Sequence, residues 1–94
     1  MFVIAMEVDV RIVDAYSLKD KRQVVKSIVE TARRRFGISA AEVGAQDAWQ
    51  RARLGFAVVS SSAGQAEHVL DDVERFVWSQ PAIEVISAER VWVD

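Results

Sequence analysis

A four-stranded antiparallel sheet carrying two helices on one face, an α+β fold of βαββαβ order, is predicted from three observations on the 94-residue sequence. The chain opens on a long apolar alternation of period two. Two helix-start patterns are each followed by an apolar stripe at helical spacing. Two strand-like runs lie between the helices.

Each element has its own physical basis. Phe2, Ile4, Met6, Val8, Val10 and Ile12 alternate with Val3, Ala5, Glu7, Asp9 and Arg11, as in a strand buried on one face. Ser17 and Asp20 then form an N-terminal capping pattern. Leu18, Val25, Ile28, Val29, Ala32 and Phe36 follow at helical spacing until Gly37, so a first helix is expected over about 17 to 36. Ile38 to about Gln46 and Arg53 to Ser61 read as strands joined by the polar segment Asp47 to Arg51, a hairpin. Ser62 and Gln65 repeat the capping pattern, and Ala66, Val69, Leu70, Val73, Phe76 and Val77 make the stripe of a second helix ending before Pro81. Ile83 to Val93 is the last strand. This order is the ferredoxin-like split βαβ arrangement, and residues 1–94 form one such domain.

Composition agrees. With 51% hydrophobic and 28% charged residues, the chain has the balance of a soluble domain with one modest core. The apolar start meets Glu7 and Asp9 at once and follows no basic region. It is expected to be neither a signal peptide nor a membrane span, which points to a cytoplasmic setting. The absence of cysteine excludes disulfides, thiolate metal sites and a cysteine nucleophile.

The charges are unevenly distributed. Ser17 to Phe36 holds seven of the twelve basic residues, Lys19, Lys21, Arg22, Lys26, Arg33, Arg34 and Arg35, against Asp20 and Glu30. The stretch is +5 in a chain of −2, and the other 74 residues, with five basic and twelve acidic side chains, sum to −7. A local positive field attracts polyanions whatever the total charge. On a helical projection Lys19, Arg22, Lys26 and Arg33 fall within about 60° of one another, a line of roughly 21 Å beside the apolar stripe. Two arrangements compete: a free line that tracks phosphates, or a line paired with Glu67, Asp71, Asp72 and Glu74 of the second helix. Lys19, Lys21 and Arg22 crowd the positive end of the helix dipole, at about 0.3–1 kcal/mol each, and this uncompensated violation favours an anion site there.

The hairpin tip Gln46-Asp47-Ala48-Trp49-Gln50-Arg51 is the second candidate. Trp49 beside Arg51 and Arg53 could stack on an unpaired base, although a turn aromatic more often packs on a sheet end or a subunit interface. No metal or other cofactor is expected, since His68 stands alone on a polar helix face. No nucleophile with its base and no carboxylate pair of definite spacing can be nominated, so no catalytic residue is assigned. Gly55-Phe56-Ala57-Val58-Val59 lacks the later aromatics of an RNA-recognition motif, and the open sheet face carries Glu7 and Asp9. The small apolar residues Val3, Ala5, Ala57 and Val59 of that face suit self-association into a homodimer.

Ser17-Leu18-Lys19-Asp20-Lys21-Arg22, continued by Val24-Val25-Lys26-Ser27, together with Ala41-Glu42-Val43, Gln46-Asp47-Ala48-Trp49-Gln50-Arg51 and Val73-Glu74-Arg75-Phe76, resembles the YlxP-like family of small bacterial proteins over nearly the whole chain. The resemblance implies a ferredoxin-like fold and a cytoplasmic bacterial setting. Its members, whose biochemical activity is not established, are commonly encoded beside translation initiation and ribosome maturation factors, which implies ribosomal RNA or the small ribosomal subunit as partner.

Two functions therefore follow from the sequence. The first is a non-enzymatic RNA- or ribosome-associated module contacting phosphates through Lys19, Lys21, Arg22, Lys26 and Arg33, with Trp49 and Arg51 assisting. The second is a protein-interaction or homodimeric scaffold without nucleic-acid contact.

Overall fold

The computed structural model describes residues 1–94. The elements run β1 (Phe2–Ile12), α1 (Leu18–Phe36), β2 (Ser39–Gly44), β3 (Arg51–Ser60), α2 (Ala63–Trp78) and β4 (Ile83–Trp92). The strands form one antiparallel sheet in the order β2-β3-β1-β4. The ferredoxin-like fold is thus the one predicted, with two boundary differences. Gly44 already pairs with Arg53 and Arg51 with Arg11, so β2 is shorter and β3 longer than predicted, and the tip shifts to 45–50.

Alternation fixes which face of the sheet is covered. Ile4, Met6, Val8, Val10 and Ile12 of β1 and Ala52, Leu54, Phe56 and Val58 of β3 are buried under the helices. Val25, Ile28, Val29 and Ala32 of α1 and Ala66, Leu70, Val73, Phe76 and Val77 of α2 close the core from above. A one-residue slip of β1 would put Glu7 and Asp9 in place of these side chains, each worth about 1.5–3 kcal/mol when fully buried, so the register is strongly specified.

Both helices begin as their sequences dictate. Ser17 Oγ accepts from the Asp20 N–H at 3.1 Å, and Ser62 Oγ from the Gln65 N–H at 3.3 Å. Asp20 does not complete the capping box on Ser17: its Oδ2 accepts the Tyr16 N–H at 3.1 Å, which ties the β1–α1 loop to the first turn. α1 stops at Gly37, whose φ of 64° is the left-handed conformation that a residue without Cβ adopts readily.

Candidate nucleic-acid interface

The seven basic residues of α1 have different surroundings. Lys21 is the correction to the sequence reading. Its side chain is 1% exposed, with Nζ 2.9 Å from Glu42 Oε2 and donating to the carbonyl of Ala45. Lys21 precedes Val25 by one turn and Ile28 by two, so it occupies the apolar stripe, while Glu42 shares the covered face of β2 with buried Ala40. The Lys21–Glu42 contact is ionic rather than a directed hydrogen bond, since Oε2 has no aligned donor. Lys21 therefore joins α1 to β2 and is no phosphate contact.

Lys19, Arg22 and Lys26 are exposed and belong to none of the seven ion pairs. Arg33 is exposed and donates through Nε to the Ala40 carbonyl at 2.9 Å, leaving its two terminal nitrogens free of protein partners. That bond also identifies the flank on which the line runs. Arg33 reaches edge strand β2, whereas Arg35, on the other side of α1, lies 5.2 Å from the centre of the Phe36 ring and 5.8 Å from that of Phe76 in α2. The line faces away from α2.

The competing arrangement, pairing with the acids of α2, is not found. Asp71 and Glu74 bind Arg90 of β4 at 2.9 and 3.1 Å, and Asp72 binds Arg75 at 2.8 Å.

Arg51, expected in the segment joining the strands and as an assistant to Trp49, is the first residue of β3. Its parity in β3 is opposite to that of buried Ala52 and Leu54, so it lies on the open face and pairs with Asp9 at 2.8 Å. It therefore does not join the α1 line. Trp49 is 53% exposed on the 45–50 tip. The tip is held from three sides: the Ala45 carbonyl by Lys21, the Gln50 carbonyl by the Ile12 N–H at 2.9 Å, and the Gln50 side chain by donating Nε2–H to the Ala15 carbonyl at 3.3 Å. Sequence reasoning missed Tyr16, which is 72% exposed in the β1–α1 loop beside this last bond. An aromatic immediately before a helix cap and followed by Lys19 and Arg22 was the available signal.

Comparison with known proteins places the chain. A family model described as "Protein of unknown function (DUF503)" matches residues 3–90. The chain belongs to the DUF503 family. It is 44% identical over 81 residues to "Uncharacterized protein YlxP" of Bacillus subtilis, covering 86% of this chain and 88% of the relative, in keeping with the YlxP-like motifs. Among solved structures, a de novo designed protein with ferredoxin fold matches at a TM-score of 0.56 and 14% identity, covering all of this chain and 87% of the design. That likeness concerns the fold alone. No helix is long and apolar enough to cross a membrane.

Proposed function

We propose that this protein is a non-enzymatic RNA-binding module of the bacterial cytoplasm that meets ribosomal RNA or the small ribosomal subunit through the β2-side flank of α1. Lys19, Arg22, Lys26 and the terminal nitrogens of Arg33 contact phosphates. The observation that carries this reading is that the line is free of ion pairs although twelve acidic residues lie elsewhere in the chain and those of α2 are mostly engaged. Unpaired cations keep their outward field and release counterions from RNA on contact.

Fluorescence anisotropy on small-subunit ribosomal RNA fragments tests it. Four contacts, at slopes of about 0.7–0.9 each, give roughly a 50- to 150-fold loss of affinity between 50 and 200 mM salt. Lys19→Glu, Arg22→Glu and Lys26→Glu combined should abolish binding. Absence of binding by the native chain at low salt would refute the proposal.

A second reading, a homodimeric scaffold, is favoured by the open sheet face, where Val59 is 66% and Val91 60% exposed near Val3, Ala5 and Ala57. Four strands about 4.8 Å apart and five residues at about 3.3 Å give this apolar half roughly 300 Å². A stable interface takes about 800 Å² per partner, so the reading ranks second. Sedimentation equilibrium decides it: a monomer at the highest soluble concentration would exclude the scaffold.

A further inference from the structure

The loops at the N-terminal end of α1 present two aromatic rings on fixed backbone. Tyr16 and Trp49 each stand one residue from an end of the same hydrogen bond, Gln50 Nε2–H to the Ala15 carbonyl. Tyr16 is further tied by its N–H to Asp20, inside the first turn of α1, and Trp49 by the hold of Lys21 on Ala45 and of Ile12 on Gln50. Two residues of these loops, Asp14 at φ 60° and Ala45 at φ 57°, adopt the left-handed conformation without being glycine. Such a conformation persists where the surroundings over-determine it. Large rings on pinned backbone are pre-organised for stacking, because little backbone freedom is lost on contact.

The charges that follow Tyr16 on α1 indicate what the rings would stack on. Lys19 and Arg22, both exposed and without ion-pair partners, lie three and six residues after Tyr16, on the first two turns of α1. Exposed aromatics next to free cations are the combination that binds single strands, the bases on the rings and the phosphates on the cations. A duplex would offer phosphates to the same cations but keep its bases stacked internally.

We infer that Tyr16 and Trp49 form a stacking pair for unpaired RNA bases, so that the module prefers single-stranded loops or ends to helical RNA. This inference rests on the RNA-binding reading above and names the class of RNA that it takes. The test is anisotropy with a labelled twelve-nucleotide uridine oligomer and a twelve-base-pair RNA duplex, on the native chain and on Tyr16→Leu and Trp49→Leu. The native chain should bind the single strand more tightly. Each variant should lose about 5- to 150-fold on the single strand and keep its affinity for the duplex. Equal binding of both RNAs by the native chain, or variants that lose nothing on the single strand, would overturn the inference while leaving the phosphate-binding reading intact. Failure of the native chain to bind either RNA would overturn both. In a Trp78→Phe, Trp92→Phe background, fluorescence from Trp49 should also be quenched by the oligomer, and an unchanged signal under saturating binding counts against stacking.

Discussion

The flank of α1 and the open face of the sheet both display arginine or lysine, yet they differ in what those cations meet. On the open face Arg11 binds Glu84 at 2.9 Å, Arg51 binds Asp9 at 2.8 Å and Arg53 lies 3.9 Å from Glu7. Along α1, Lys19, Arg22 and Lys26 meet no acid, and Arg33 meets only a carbonyl. Three paired and four unpaired cations therefore give fields that differ by far more than their numbers: pairs cancel at a distance, whereas an unpaired line does not. Counting charges along the sequence ranks α1 first, and pairing strengthens that ranking while removing Lys21 from it.

The largest expected effect concerns that removed residue. Lys21→Ala leaves Glu42 in a mostly buried position without its cation and should cost about 3 kcal/mol, the low end for a broken buried pair because the Glu42 side chain is 19% exposed. Lys21→Met with Glu42→Leu should recover most of the loss in urea unfolding. If Lys21→Ala instead leaves stability unchanged and lowers RNA affinity, Lys21 belongs to the phosphate line after all.

How much of this was legible in the sequence depends on the range of the interaction. The alternation of β1, both serine caps and Gly37 act within a few residues, and each appears where its spacing places it. Lys21 was misread because charge was weighed before helical position, although its offset of four from Val25 marks it as core-facing. Arg51 was placed in the turn, although its alternation with Ala52 and Leu54 already continues the pattern of β3 on the open face. Glu42 and the Gln50–Ala15 bond were beyond reach: they depend on how β2 and the hairpin tip close over α1, across 21 and 35 residues of chain.

A smaller effect is expected at Gly55, on the open face. A Cβ there would lie 2.8 Å from Val43 Cγ1, so Gly55→Ala should cost about 1 kcal/mol, at the low end for overpacking. Val43→Ala in the same chain should relieve it, and a lack of rescue would place the strain elsewhere. Ser17→Ala removes the cap of α1 and should also cost about 1 kcal/mol by thermal unfolding.

The smallest effect separates an open-face pair from the α1 line by pH. The hydrogen bond and charge of Arg11 hold the Glu84 carboxyl below its ordinary value of 4.5. A lowered folded-state pKa contributes stability above the unfolded value, lost as pH falls through the folded one. Glu84→Gln should therefore slightly flatten the fall in urea midpoint below pH 4.5, and its RNA affinity at pH 7 should stay unchanged. A steeper acid fall would contradict the assigned direction.

The most direct measurement compares the two surfaces at equal net charge. One variant carries Lys19→Gln, Arg22→Gln and Lys26→Gln; the other carries Arg11→Gln, Arg51→Gln and Arg53→Gln. The slope of log affinity against log salt is measured for each on the same small-subunit RNA fragment. The α1 variant should lose about 0.7–0.9 of slope per residue, and the open-face variant should keep the native slope. Equal losses from both, or a loss confined to the open-face variant, would contradict the claim that the unpaired α1 line is the phosphate-binding surface.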